Sequence, residues 1–238
     1  MNTRIITLCL AVSLLAGCSS SSTTPSQPTN SLSTEWQDDF SLSGRKLAST
    51  GRNPFFILEP GFQLSFASQD EKLVITVLDR TVMIGTTEAR VVEEREWKND
   101  ELIEVSRNFF AICPKTKDVF YFGEEVDDYK NGTITGHGGA WRADEPGNKA
   151  GLIMPGNPAI GMSYYQEVAP GVAMDRAEVL SLTETLTTPA GKFENCLKTQ
   201  EGSALKPRER EFKIYAQGIG LLKDGDMLLT KHGVTDQR

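Results

Sequence analysis

Asp118-Val-Phe-Tyr-Phe-Gly-Glu-Glu-Val126, followed through Asp127-Asp128-Tyr129-Lys130 by Asn131-Gly132 and then by Thr133-Ile-Thr-Gly-His-Gly-Gly-Ala-Trp141, decides the fold class. The first run is rich in β-branched and aromatic residues, which fit a pleated and half-buried surface. Asn131-Gly132 is the strongest short hairpin signal, because both residues tolerate positive φ. Thr133 to Trp141 then reads as the return strand. Upstream, Leu102 to Ile112 is a strand run ending at Pro114-Lys115-Thr116-Lys117. Thr87 to Trp97 is another, ending at Lys98-Asn99-Asp100, and Leu73 to Leu78 a third.

Downstream, the breaker clusters Asp144-Glu145-Pro146-Gly147-Asn148 and Pro155-Gly156-Asn157-Pro158 mark residues 143–161 as a long loop crossing the domain. Strands resume at Ser163 to Val168, turn at Pro170-Gly171, and continue at Ala177 to Thr185. Thr188-Pro189-Ala190-Gly191 leads into Phe193 to Thr199. Phe212 to Ala216, Gly220 to Leu222 and Met227 to Thr230 follow. A weak internal echo links Gly85–Val92 and Asn108–Ala111 with Gly191–Leu197 and Lys213–Ala216. The expected fold is therefore mostly β, with few helices. It is a single antiparallel, strongly curved sheet or open barrel built from hairpins. Adjacent aromatics such as Phe109-Phe110, Phe120-Tyr121 and Tyr164-Tyr165 point to opposite faces of a strand. One of each pair enters the core; the other lines a concave face or lies under a second covering layer.

The chain has 238 residues and a formal net charge of −7. It has no basic stripe, which argues against nucleic acid as a partner and against charge-driven attachment to an anionic membrane surface. Residues 19–34 are almost entirely Ser, Thr, Pro, Gln and Asn. Such a stretch buries too little apolar surface to offset its ordering entropy. The expected division is 1–17 as a signal peptide, 18–35 as a flexible tether, and 36–238 as one β-rich domain, with the folded part starting between Trp36 and Asn53.

Of the four cysteines, Cys9 falls within the expected 1–17 segment and Cys18 directly follows it. Cys113 and Cys196 remain, with no metal-ligand spacing and no histidine beside them. Outside the cytosol such a pair favours a disulfide, closing a loop with a chain-entropy ceiling of about 4–5 kcal/mol. The alternative is two buried thiols acting as small apolar groups.

Leu15-Ala16-Gly17-Cys18, preceded by Arg4 and the apolar run Ile5 to Leu15, resembles a bacterial lipoprotein processing box. That run is too short to cross a bilayer. The resemblance implies cleavage before Cys18, acylation of its thiol and new amino group, and stable anchoring by several chains. Ser19, in place of an aspartate, resembles sorting to the outer membrane, facing the periplasm.

The chemical motifs are weak. His137-Gly138-Gly139 and Gly161-Met162-Ser163, followed by Asp224 or Asp226 and His232, resemble parts of a serine hydrolase. Tyr165 stands where a second glycine is required, and no helix pattern follows Ser163. Glu124-Glu125-Val126-Asp127-Asp128 lacks the spacing of a calcium loop and reads as a solvated strand end, as Glu93-Glu94-Arg95-Glu96 reads as an exposed strand face. No cofactor or metal motif stands out. His137, lying between Glu124 and Trp141 across the expected hairpin, makes Glu124, His137 and Trp141 the candidate ligand-binding residues.

Several segments together resemble a family of uncharacterised β-rich bacterial lipoproteins and secreted proteins. They are Asn53-Pro54-Phe55-Phe56, Leu58-Glu59-Pro60-Gly61, Val91-Val92-Glu93-Glu94, Val119 to Glu124, Gly138-Gly139-Ala140-Trp141, Gly151 to Pro155, Tyr164-Tyr165-Gln166-Glu167, Thr188-Pro189-Ala190-Gly191 and Tyr215 to Leu221. Gln217 stands where that family more often has proline. The resemblance brings no established activity. By fold-level analogy it also suggests a curved sheet that cradles a hydrophobic guest. The expected function is a non-enzymatic envelope lipoprotein that binds a hydrophobic molecule or another envelope protein. A hydrolase acting on envelope material and a purely structural component are the alternatives.

Overall fold

The computed structural model describes residues 36–235. The expected signal peptide, the tether and the Cys18 processing site lie outside those residues. Every regular element described is a strand. A small hairpin is formed by β1 (Gly51–Asn53) and β2 (Phe56–Leu58). The N-terminal half then supplies β3 (Phe62–Ala67), β4 (Glu71–Ile84), β5 (Thr87–Lys98), β6 (Glu101–Ile112) and β7 (Val119–Lys130). Four shorter strands follow: β8 (Thr133–Gly136), β9 (Trp141–Arg142), β10 (Lys149–Met154) and β11 (Ser163–Tyr165). After β12 (Glu167–Val168), the C-terminal half is β13 (Asp175–Thr188), β14 (Gly191–Ser203), β15 (Lys206–Ala216), β16 (Gly220–Asp224) and β17 (Met227–Val234).

All the ladders between these strands are antiparallel. The strand order is β11-β13-β14-β15-β16-β17-β3-β4-β5-β6-β7-β10-β12, with β8 and β9 also pairing β7. The chain's two halves are joined by β17 on β3, where Leu229 pairs with Phe66 and His232 with Leu64. The echoed segments occupy two three-strand meanders, β4-β5-β6 and β13-β14-β15.

Local sequence explains the turns. Asn99 and Asp100 both have positive φ (51° and 64°), as do Asn131 and Gly132 (52° and 74°). Each pair makes a two-residue turn whose twist matches that of its flanking strands. The expected return strand over 133–141 breaks into β8 and β9 because the glycines leave the ladder: Gly138 N–H turns to Asp128 Oδ2 at 3.0 Å. β9 approaches β7 so closely that a Cβ on Gly123, itself at φ 140°, would meet the Trp141 carbonyl oxygen at 2.4 Å.

Two expectations are corrected. Residues 143–161 are not one loop, because Lys149–Met154 forms β10. The breakers that suggested a loop bracket this strand on both sides, and its apolar run Leu152-Ile153-Met154 packs inward. Cys113 and Cys196 are free, buried thiols and form no disulfide. Cys196 lies on β14, third in the strand order, and Cys113 directly follows β6, tenth in it. Distance along the chain says nothing about the close Cα approach that a disulfide requires, and both residues pack as small core groups.

The second face of β6 and β7 is covered. Phe109 and Phe110 are both buried, as are Phe120 and Tyr121. The chain ahead of β1 supplies cover: the Phe40 ring stacks at 5.9 Å on Phe120, and Ala48 exchanges backbone hydrogen bonds with Ile112.

One short segment takes part in both ends of the strand order. Ser163–Tyr165 pairs with β13, while Glu167–Val168 pairs with β10; Gln166 links them, its N–H donating to Asp175 O at 2.7 Å. Residues 37 and 38 lie across the same place. Gln37 donates to Ser163 O and accepts from Tyr165 N–H, and Asp38 pairs with Lys149 of β10 at 3.2 Å.

Candidate functional site

Alternation along the strands sends one set of side chains to a common face. On β5 these are Val92, Glu94 and Glu96; on β4 they are Leu73, Ile75 and Val77, which sit opposite them in register. On β3 they are Phe62, Leu64 and Phe66, of which Leu64 pairs with Ile75 and Phe66 with Leu73. From the other half come Glu211, Lys213 and Tyr215 of β15, Glu201 of β14, and Asp224 of β16.

Most of these side chains, though not Leu73 or Phe66, line two adjoining chambers. The apolar chamber, about 120 Å³, is walled by Phe55, Phe62, Leu64, Phe110, Tyr215 and Leu221 among others. The charged chamber is about 250 Å³ and is lined by seven carboxylic acids against three bases. Glu94, Lys213 and Asp224 line both, so the chambers adjoin at these three residues.

The β1–β2 hairpin forms a wall of the apolar chamber, and Asn53 holds it in place. Its Nδ2 donates to Lys117 O (2.8 Å) and Pro155 O (2.9 Å), and its Oδ1 accepts from Phe55 N–H at 2.6 Å. Asn53 is 1% exposed, so these bonds satisfy an otherwise costly buried amide.

The electrostatics follow from crowding. Burial, opposed by Lys213 and reinforced by Glu96 and Asp224, pushes Glu94 up to about 8. Burial likewise pushes Glu211 up to about 7, against the pull of Lys213. Lys213 lies 3.5 Å from both Glu201 Oε2 and Asp224 Oδ2. Burial works to lower the Lys213 ammonium, but those acids outweigh it and hold it well above the usual lysine range. Glu201 is further fixed by the Tyr215 hydroxyl (3.0 Å) and Thr199 (2.9 Å).

The residues expected to bind a ligand separate into two groups. Glu124 and Trp141 stand opposite each other in register. Trp141 is buried, its ring edge-on to Tyr121 at 5.3 Å. Burial raises Glu124 to about 8, opposed by its bond to Tyr121, and raises nearby Glu167 well above the carboxylate range. His137 does not join them. Its Nδ1 lies 2.7 Å from Val126 O and 3.1 Å from Asp127 Oδ1, and two-thirds of its side chain is exposed. A carbonyl only accepts, so Nδ1 carries the proton there.

The hydrolase elements do not meet. Ser163 Oγ bonds the Gly161 carbonyl, His137 is occupied as described, and His232 is exposed on β17 opposite Leu64. The acids of residues 124–128 also diverge: Glu124 faces Trp141, while Asp127 pairs with Arg107 at 2.9 Å. Among the described residues no group of three or more His, Cys, Asp or Glu side chains could hold a metal ion.

Sequence reading placed Glu94 and Glu96 on an exposed face and Asp224 in a hydrolase set, and it missed Lys213; none was read as part of this cavity. The Glu93–Glu96 run is only half an exposed face. Glu93 and Arg95 pair with each other at 2.7 Å, whereas Glu94 and Glu96 continue the inward series begun by Val92. The signal was alternation through a charged run. Comparison with family models, curated proteins and solved structures finds no match to this chain.

Proposed function

We propose that this protein is a lipid-anchored binding module of the bacterial envelope that holds a hydrophobic molecule within its sheet. On this reading Cys18 carries the acyl chains and residues 18–35 form the tether. The domain sits at the outer membrane facing the periplasm, in the manner of the β-rich lipoprotein family its motifs resemble. The sheet curves around the cavity as an open barrel. Support comes from Glu94 of β5 and Lys213 of β15, which line one cavity although four strands separate theirs in the order. The Ser163–Val168 segment, which pairs at both ends of that order, supports the same shape.

The observation that carries the binding reading is the apolar chamber. A well-packed core leaves few voids larger than a water molecule, and this chamber is comparable to an engineered cavity of about 150 Å³ that takes up benzene. Another envelope protein as the partner, with Glu124 and Trp141 at the contact, is the second reading. It is favoured only by the burial of an acid and an indole side by side.

The test is binding of hexanol to the purified protein by calorimetry, with Val92→Trp to fill the chamber. Saturable binding that Val92→Trp abolishes while circular dichroism is unchanged supports the proposal. No binding to the unaltered protein overturns it. Metabolic labelling with palmitate, lost in Cys18→Ser, tests the anchor.

A further inference from the structure

We propose that the guest is a small amphipathic amine, its protonated nitrogen seated among Glu94, Glu201 and Asp224 and its compact hydrocarbon part in the apolar chamber. The inference rests on the binding reading above and adds the charge of the ligand.

Charge balance in the larger chamber is the first argument. Of its three bases, Lys72 is engaged by Asp100 and Arg210 Nη1 donates to Glu209 O at 2.7 Å. Lys213 is the base that reaches the acids, and Asp224 and Glu201 already neutralise it. Glu94 faces Lys213 without reaching ion-pair distance among the described residues. A carboxylate guest would add a negative charge to an acidic surplus. The excess rests on Glu201 and Asp224, two acids that share the one Lys213, and a neutral guest would leave it uncompensated. A single ammonium complements it and, placed beside Glu94, lets that carboxyl give up the proton it otherwise keeps to about 8.

The second argument is independent of the acids. Tyr164 is 1% exposed, and its hydroxyl has no hydrogen-bond partner. It stands in one row across the sheet with Ala177 and Glu201, which pair in register. Ala177 is too small to block the phenol, and Glu201, beyond it in that row, acts on the phenol through its charge. A buried hydroxyl without a partner costs about 1–3 kcal/mol. By leaning past Ala177 the phenol, which is not itself part of the chamber lining, takes a hydrogen bond from an ammonium placed beside Glu201.

The third argument is continuity. The chambers share Glu94, Lys213 and Asp224, so a molecule with its nitrogen at this junction points its hydrocarbon directly into the apolar side. The size of that side matches about one ring or a chain of similar bulk.

The experiment compares hexylamine, hexanol and hexanoate on the purified protein by calorimetry at pH 7. The expected order is amine tightest, about tenfold or more over hexanol, as for a hydrogen bond to a charged group, with hexanoate weakest. Glu94→Gln and Tyr164→Phe each reduce the amine's advantage and leave hexanol unchanged. Tyr164→Phe removes an unpartnered group, so it does not lower stability, which separates loss of binding from loss of fold. Equal binding of amine and alcohol, or preference for hexanoate, overturns the inference and leaves the binding reading intact. Absence of binding by all three overturns both.

Discussion

Glu94 of β5 and Lys213 of β15 face one another across the junction of an apolar and a charged chamber, although their strands are ninth and fourth in the sheet. Lys213 is tied to Asp224 and Glu201, so Glu94 stays under-compensated in a site that burial has dried. That imbalance gives Glu94 its own share of the domain's pH response, beside those of Glu124, Glu167 and Glu211.

Burial raises Glu94 from its ordinary 4.5 to about 8. In the unfolded chain the group is ionised above its ordinary value, whereas the folded chain keeps the proton until about 8. The fold therefore binds more protons across this window, and its stability falls as pH rises from about 4.5 to 8. Glu94→Gln removes this dependence. Thermal melts should show the variant gaining on the parent between pH 5 and pH 8, with little difference at pH 4. Parallel profiles would refute the assignment.

Lys213→Met leaves Glu201, Asp224 and Glu211 without their shared counter-charge. Removing one partner of a fully buried pair costs about 3–5 kcal/mol. A quarter of the Lys213 side chain still reaches solvent, so a loss of about 2 kcal/mol is expected in urea titration. Adding Glu201→Gln should recover part of it.

Gly151→Ala tests the segment that serves both sheet ends. A Cβ at Gly151 would sit 2.3 Å from the Gln166 carbonyl carbon and oxygen. The contact is with backbone, so β10 and the 163–168 segment must separate. The expected cost is above about 3 kcal/mol, in the range of the severe mechanisms, with amide exchange accelerating first at Glu167 and Val168.

Asn53→Ala strips the hairpin wall of its bonds to Lys117, Pro155 and Phe55. A loss of about 2–3 kcal/mol follows from several buried partners left unpaired. Hexanol binding should weaken in parallel, because the hairpin borders the apolar chamber.

The free thiols make a simple check. Reductant should leave the melting temperature unchanged, and an aromatic disulfide reagent should label Cys113 before Cys196. Burial pushes the Cys196 thiol up. At Cys113 burial acts in the same direction, but hydrogen bonds from Thr116 and Lys115 outweigh it and lower the thiol. A mobility shift on reduction would show a bridge after all.

Much of the fold was legible because local signals repeat. Asn131-Gly132 and Asn99-Asp100 name their own turns, and the long strands β4 to β7 and β13 to β15 carry β-branched and aromatic runs. β3 and β10 were not legible. β3 owes its place to pairing with β17 from the far end of the chain, and β10 lies between breakers that mimic a loop. The site was less legible still. Glu124 and Trp141 were singled out, and they pair in register. The residues of the larger cavity were never read together, because Glu94, Lys213 and Asp224 meet only through tertiary structure. Period two identifies which residues share a face; it does not say whether that face meets water or another strand's charges.

Gln37 is stitched to Ser163 and Tyr165 of β11, and Asp38 to Lys149 of β10, strands toward opposite ends of the strand order. Tension applied to the chain ahead of Trp36 arrives first at these few bonds. Pulling from the amino terminus would therefore work like a ripcord, undoing these contacts before any long ladder yields, whereas pulling from Val234 would load β17 across its pairs with β3.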